Sequence, residues 1–381
     1  MVKKICFVTT IGSTLRAFVL KLAEYLHSTG EFDITFICSP DEALQSVLPD
    51  YIHMIPVKMA RGISLGGVKA TGEIYRICKR EKFDLIQYST PNASFYVSIA
   101  AKMAGVPVRL YCQWGMAYVG FSGMKRQIFK AIEKSVCRRS TWVEPDSFGN
   151  LKFSHAEKLY PEQKGSVIWN GSASGVDLKK FDISQQANWR GEIRGRYGIP
   201  DDAMTYIFIG RVTRDKGVNE LFAATRRIMR EKNIYLLMVG SVEGSETLDE
   251  TLYAWSQSED KVIYCGFTNE VEKYLAASDV YVLPSYREGF GSSVIEAEAM
   301  GRPVIVSDIP GPTDAMKKDV TGLVVEKGNA AALETAMMKL YQNRGLREKL
   351  GASAYEFAKD GFEQEKLFAC ILKDRQALLN R

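Results

Sequence analysis

The sequence predicts an α/β protein made of two Rossmann-like domains, and three observations predict it. A chain of 381 residues exceeds what one hydrophobic core ordinarily serves, so two domains are expected. Short β-branched apolar runs alternate with helical patterns from end to end, which is the signature of parallel sheets covered by helices. The composition, 46% apolar and 25% charged, is that of a globular chain. There is no run of eighteen apolar residues, so no membrane-spanning helix is expected.

The first set of strand-like runs is Lys4–Thr10, Phe32–Cys38, Asp84–Tyr88, Val106–Tyr111 and Thr141–Val143. The second set is Tyr206–Gly210, Ile234–Val239, Lys261–Cys265, Asp279–Leu283 and Pro303–Val306. Helical patterns fall between them, as in Ser13–Ser28, Gly217–Glu231 and Asn329–Gln342. Polar residues, Pro161 and Gly165 interrupt the pattern near Leu159–Gly165. The expected domains are therefore 1–162 and 163–360, with a helix at about 361–381 packing back on the first. Open α/β sheets bind ligands beyond the carboxyl ends of their strands. Two such sheets facing each other would place the site in an interdomain cleft.

The opening segment Met1–Thr10 carries two lysines and an apolar stretch, but the stretch is short, β-branched and broken by Gly12-Ser13, so a first strand is expected rather than a signal peptide. Seven cysteines without a Cys-x-x-Cys pair suggest reduced thiols and a cytoplasmic location. Three histidines, His27, His53 and His155, have no metal-ligand spacing. No metal and no cofactor are expected.

Charge divides unevenly. Residues 1–160 hold 21 Lys+Arg against 13 Asp+Glu, a net of +8, and the remainder holds 29 against 32, a net of −3. A basic first half implies an anionic partner there. The densest cluster, Met124–Arg139, has six positive charges and one negative, with Ile128, Phe129, Ile132 and Val136 at helical spacing. Lys125, Arg126, Lys130 and Lys134 would contact anionic lipid if this helix lies on a membrane. The same pattern also describes a surface helix whose apolar stripe faces its own core. A membrane surface is the expected anionic partner, and no nucleic-acid partner is expected.

The most informative segment is Ser285–Glu296, which follows the apolar run Asp279–Pro284. It reads as a strand, a glycine-rich loop and a helix opening at Ser292 or Ser293. The free N–H groups and dipole of a helix start attract phosphate. Gly289 and Gly291 allow a ligand close to the main chain, and Phe290 lies between them. Glu288 and Glu296 would accept from sugar and ribose hydroxyls. Ser293-x-x-Glu296 is equally a capping box, which needs no ligand. Earlier, Gly210-Arg-Val-Thr-Arg-Asp-Lys-Gly217 follows a strand and leads into a helix. Arg211 can hold two phosphate oxygens through its planar fork, and Lys216 adds a mobile point charge.

Gly210-Arg211…Lys216-Gly217 together with Glu288-x7-Glu296 resembles the donor-site signature of glycosyltransferase family 4, whose GT-B fold is two facing Rossmann-like domains with an interdomain cleft. Asn170–Asp177 with Phe181, Gly266-Phe-Thr268, Leu283-Pro-Ser285, Glu296-Ala-x-Ala-x-Gly-x-Pro-Val304 and Thr321–Val324 match as well. The resemblance covers nearly the whole chain and is strongest over 165–326. Within the family it is closest to bacterial transferases of capsule and surface-polysaccharide assembly.

The resemblance implies a metal-independent transferase that retains anomeric configuration. It gives Arg211 and Lys216 the donor diphosphate, Glu296 the ribose, and Glu288 with the Gly289–Gly291 backbone the transferred sugar. Ser292, Ser293 and the Gly12-Ser13 turn would lie near the diphosphate, and Phe267 beside the base. The implied donor is a UDP-sugar, with an N-acetylated amino sugar as the expected hexose. The implied acceptor is an undecaprenyl-diphosphate-linked sugar at the inner membrane face. The family's N-domain histidine is missing from Tyr111-Cys-Gln-Trp-Gly-Met116, so Gln113 or Trp114 is expected to meet the sugar. Two other functions remain open at this point. One is a UDP-sugar 2-epimerase of the same fold, which needs an acid–base set. The other is a non-catalytic UDP-sugar-binding partner of another transferase.

Overall fold

The computed structural model describes residues 2–59, 65–230 and 232–381, and the chain forms two compact units. The first runs to Ser174 and takes back Glu365–Arg381, while the second is Gly175–Gln364.

In the first unit β1 (Lys3–Val8), β2 (Phe32–Cys38), β3 (Ile52–Pro56), β4 (Leu85–Tyr88), β5 (Val108–Gln113) and β6 (Trp142–Pro145) form a parallel sheet in the order β3-β2-β1-β4-β5-β6. Ile5, Cys6, Phe7 and Val8 are all buried, as expected for a central strand covered on both faces. One core, around Ile86, Tyr88, Val97 and Val143, lies on one side. The other core holds Phe7, Leu26 and Phe36 together with Leu367, Phe368, Ile371 and Leu378. Those last four belong to the terminal helix Gln364–Leu379, which thus completes the first unit's core.

The second unit repeats the topology. Its strands are β7 (Met204–Ile209), β8 (Ile234–Val239), β9 (Val262–Gly266), β10 (Val280–Leu283), β11 (Val304–Ser307) and β12 (Gly322–Val325), in the order β12-β11-β10-β7-β8-β9. All its pairs are parallel. In both sheets the order reverses between the first and fourth strands, β1/β4 and β7/β10. Ligands of such sheets bind outside the carboxyl ends of the strands at this switch point.

Two strands fall outside the sequence expectation. β3 is an edge strand that carries exposed His53 and ends on Pro56, so it lacks the continuous apolar run of a central strand. β12 is also at an edge and opens on Gly322. The expected helix Ser13–Ser28 is two helices, Gly12–Phe18 and Leu20–Ser28, which part at Val19. The helix expected over Gly217–Glu231 spans Val218–Met229, and Glu231 lies outside the described residues.

Candidate active site

In the second unit, the loops that follow β7 and β10 meet at the switch point. Gly217 closes the first of them with φ +71°, and a Cβ there would lie 2.0 Å from the Pro284 carbonyl oxygen. Only glycine accepts both the backbone conformation and the contact. The loop ahead of it is held by charge. Thr213 donates to Asp215 at 2.5 Å, Arg287 pairs with Asp215 at 2.8 Å, and the Tyr286 amide donates to the Asp215 carbonyl. Burial alone would raise the Asp215 carboxyl, but Thr213, Arg287 and neighbouring cations overcome it and hold the group below its usual range.

This clamp brings Lys216 and Glu288 together. Lys216 Nζ lies 2.6 Å from Glu288 Oε1, and Ser285 Oγ donates to the same oxygen at 2.7 Å. Both charged side chains are well shielded, at 18% and 12% exposure. Arg211 is half exposed on the same loop and pairs with Glu243 at 3.2 Å. Such a surface pair is weak, so the guanidinium is easily released to an anion. Asp215, Arg287 and Glu243 have no role in the sequence reading, because only the folded loops bring them to Lys216, Glu288 and Arg211; Ser285 enters it only as the end of the Leu283-Pro-Ser285 match and the first residue of Ser285–Glu296.

The helix Ser292–Ala299 begins immediately beyond. Its N-cap is Gly291 in the left-handed region, and no side chain caps it. The capping box is not formed, since Ser293 Oγ is engaged with Tyr281 Oη at 2.6 Å. The helix start, with the Ser292 and Ser293 main chain, therefore supplies N–H groups and a positive dipole end for a ligand. The preceding loop is buttressed by Gly311. With φ +97°, a Cβ at Gly311 would come within 2.0 Å of the Gly289 carbonyl oxygen.

Glu296 is partly exposed on the first turns of this helix. Burial raises its carboxyl to about 7, with Lys180 opposing and Glu272 adding to the shift. Lys180 and Glu272 lie 3.6 Å apart. Among the described residues no side chain hydrogen-bonds the Glu296 carboxyl, so it remains available to hydroxyl donors. The Phe290 side chain is 2% exposed and packs on Phe362, so only the main chain of this residue is open, which is the part the sequence reading invoked. Phe267, by contrast, stands 77% exposed after β9, as a flat apolar face next to the same sheet edge.

In the first unit, Gly12 opens a helix after β1 and is packed so closely that a Cβ would meet Asp41 Oδ2 at 2.5 Å. Ser13 beside it is exposed. Gln113 departs from expectation, because it is fully buried. Its amide donates to Glu133 at 2.6 Å and accepts from Ser154 at 2.9 Å. Both ends of the amide are engaged, so it ties strand to helices and does not face a sugar. Trp114 is half-buried and packs against Phe18.

The basic cluster is the helix Gly123–Arg139. Its single acid, Glu133, is turned inward, where Tyr111 and Gln113 hydrogen-bond it. The four expected lipid contacts divide. Arg126 and Lys130 are tied to Glu157 at 3.2 and 2.6 Å, whereas Lys125 and Lys134 are exposed. Val136 is buried and Phe129 and Ile132 are half-buried, but Ile128 is 51% and Met124 80% exposed. Among the described residues no helix is long and apolar enough to cross a membrane, and no group of three or more His, Cys, Asp or Glu is placed to hold a metal ion.

Comparison with known proteins places this geometry. Residues 4–147 match the model of the family Glycosyl transferase 4-like, and residues 190–357 that of Glycosyl transferases group 1. The capsular polysaccharide biosynthesis glycosyltransferase CapM of Staphylococcus aureus is 26% identical, over 90% of this chain and 91% of its own length. The UDP-Gal:alpha-D-GlcNAc-diphosphoundecaprenol alpha-1,3-galactosyltransferase of Escherichia coli is 27% identical, over 83% and 82%. Among solved structures, sucrose-phosphate synthase from Thermosynechococcus elongatus superimposes with a TM-score of 0.83 at 19% identity, covering 99% of each chain. That likeness establishes the fold. The two domain matches, in chain order, make the chain a glycosyltransferase of GT-B fold, with a Glycosyl transferase 4-like domain followed by a Glycosyl transferases group 1 domain.

Proposed function

We propose that this glycosyltransferase moves a sugar from a UDP-sugar to an undecaprenyl-diphosphate-linked sugar in surface-polysaccharide assembly, with retention of configuration and without a metal ion. The observation that carries the reading is the uncapped start of the Ser292–Ala299 helix beside the Lys216–Glu288 pair. The names of the Staphylococcus aureus and Escherichia coli relatives support the capsular setting and the lipid-linked acceptor.

The chemistry follows from where charge develops. The bond between the anomeric carbon and the β-phosphate oxygen breaks, and both electrons leave with the diphosphate. An acceptor hydroxyl attacks on the same face, and its proton passes to the departing phosphate oxygen. Negative charge grows on the diphosphate, so preorganised cations and N–H groups act most strongly in the transition state. Arg211, Lys216 and the helix start fill that role. Glu288 positions the transferred sugar through Oε2, since Oε1 already receives Lys216 and Ser285. Glu296 accepts from the ribose hydroxyls. The hexose, an N-acetylated amino sugar in this reading, lies against the Gly289–Gly291 main chain.

The protein works at the inner face of the membrane as a peripheral enzyme, with Met124, Ile128 and Lys125 as the helix contacts. The deciding experiment is mass spectrometry of the purified protein incubated with a panel of UDP-sugars and a polyprenyl-diphosphate N-acetylhexosamine, with chelator present. The expected product is one sugar heavier and depends on Glu288. Isomerisation of the UDP-sugar without transfer would make it an epimerase. Bound UDP with every donor unchanged would make it a binding partner.

A further inference from the structure

A recess lies in the first unit, away from the residues given a part in sugar transfer above. It has a volume of about 700 Å³ and is formed by the second half of the Gly123–Arg139 helix and the segment 158–164. Four cations line it, Lys134, Arg138, Lys158 and Lys164, against one acid, Glu162. Among the described residues, Lys134, Arg138 and Lys158 make no ion pair. Lys164 donates to the Arg138 carbonyl at 3.3 Å. Burial lowers its ammonium, and nearby Arg109 and Lys102 push the same way while the Cys137 thiol opposes them. Leu159 and Tyr160 give the recess a buried apolar floor. His155 in its wall has a ring nitrogen, Nε2, with no hydrogen-bond partner among the described residues. Unpaired cations around an apolar floor suit an anion that carries a hydrophobic body.

The Gly123–Arg139 helix follows β5 and leads into β6, so its start lies at the carboxyl edge of the sheet and its end at the amino edge. The recess is therefore opposite Gly12, Ser13 and Trp114. The helix is about 25 Å long by its residue count. Met124, Ile128, Ala131, Ser135 and Arg138 follow one another at helical spacing along one face. The first two are exposed apolar side chains and the last three line the recess. A helix lying flat with that face down would put its apolar end in the acyl boundary and the recess among headgroups.

We propose that this recess is a binding site for the phosphate headgroup of an anionic phospholipid, separate from the acceptor site. It adds a defined headgroup contact to the surface attraction of the basic helix, and it leaves the carboxyl edge of the sheet free. The vesicle assay below reads no sugar transfer, so its result is independent of the transferase reading.

The test uses the full chain and phosphatidylcholine vesicles with and without phosphatidylglycerol. Arg138 and Lys158 are exposed, so the variant Arg138→Gln/Lys158→Gln is expected to fold. Each cation lost near an anionic surface reduces partitioning about five-fold, and the pair together roughly 25-fold. A control pair of exposed lysines on another helix, Lys69→Gln/Lys79→Gln, is expected to change it little. Inorganic phosphate is expected to compete with the vesicles better than chloride at the same ionic strength. Equal losses in both pairs, or no advantage of phosphate over chloride, would reduce the recess to diffuse surface charge. If phosphate protects Lys158 from acetylation while vesicle binding is unchanged in the recess variant, the site is one for a free anion and the lipid assignment fails.

Discussion

Lys216 and Ser285 converge on one oxygen of Glu288, at 2.6 and 2.7 Å. The other oxygen is thereby fixed in direction without being consumed, as a group that must orient a substrate hydroxyl requires. Lys216 comes from the loop after β7 and Ser285 from the end of β10, so the carboxylate reports the correct docking of both loops.

Replacing Glu288 by Gln keeps the shape and removes the charge. Transfer is expected to fall at least about 100-fold, the scale of losing one transition-state contact. UDP affinity is expected to stay within a few-fold, because Arg211, Lys216 and the start of the Ser292–Ala299 helix are left in place. Isothermal titration with UDP beside a turnover assay separates the two. Loss of UDP binding in parallel with turnover would make Glu288 a loop-holding residue.

Glu296 titrates near 7 in the fold and near the ordinary carboxylate value when unfolded. A folded pKa raised above the unfolded one means that the folded protein binds the proton more tightly. Stability is therefore present below the unfolded pKa and is lost as pH rises toward 7. The loss is of the order of 2–3 kcal/mol at most. Glu296→Gln is expected to raise Tm at pH 8 and leave it nearly unchanged at pH 4.5. The same substitution is expected to weaken UDP about ten-fold, since charged acceptors make the stronger hydrogen bonds. A thermal-shift series across pH, with and without UDP, reads both effects. Unchanged UDP affinity would remove the ribose role.

Two residues along the same helix, Glu298 is fully buried and neither carboxyl oxygen has a hydrogen-bond partner among the described residues. Burial pushes this carboxyl well above the usual range, against the smaller opposing pull of the nearby Thr321 hydroxyl and Lys317 ammonium. Glu298→Met is expected to stabilise the protein by about 1–3 kcal/mol through removal of an unsatisfied buried polar group. By the same sign argument the gain grows with pH, because burial favours the protonated form in the fold. Urea denaturation at pH 6 and pH 8 checks this. A loss of stability at both would show that the carboxyl is satisfied in solution.

Arg375 of the terminal helix meets Glu144 at the end of β6 through two contacts of 2.5 and 3.0 Å, and its Nη2 also donates to Gln87 of β4. Removing Glu144 leaves the buried guanidinium with Asp374, 2.6 Å from its Nη1, as its remaining acid partner, and that cannot replace the two-pronged contact. Glu144→Ala is expected to cost about 3–5 kcal/mol. Glu144→Ala with Arg375→Met is expected to recover much of that loss. Calorimetry of the single and double variants measures the coupling. An additive result would show that the pair does not hold the terminal helix.

The sequence by itself determined the class of fold and pointed to the two candidate loops, Gly210–Gly217 and Ser285–Glu296, that meet in the second unit. Both depend on local rules: central parallel strands must be continuous apolar runs, and Gly210–Gly217 and Ser285–Glu296 carry their chemistry within a dozen consecutive residues. Edge strands β3 and β12 escaped because one face meets less core and the apolar signal thins. Tertiary structure alone decided what each polar side chain faces. Gln113 and Trp114 are neighbours in sequence, yet one is sealed in a hydrogen-bonded network with Glu133 and Ser154 and the other reaches the surface. Ser293 satisfies the capping-box pattern, but Tyr281, twelve residues earlier, takes its hydroxyl. Hydrogen bonds of this kind join residues far apart in the chain, and their outcome depends on which competing partner the packed core brings within 3 Å.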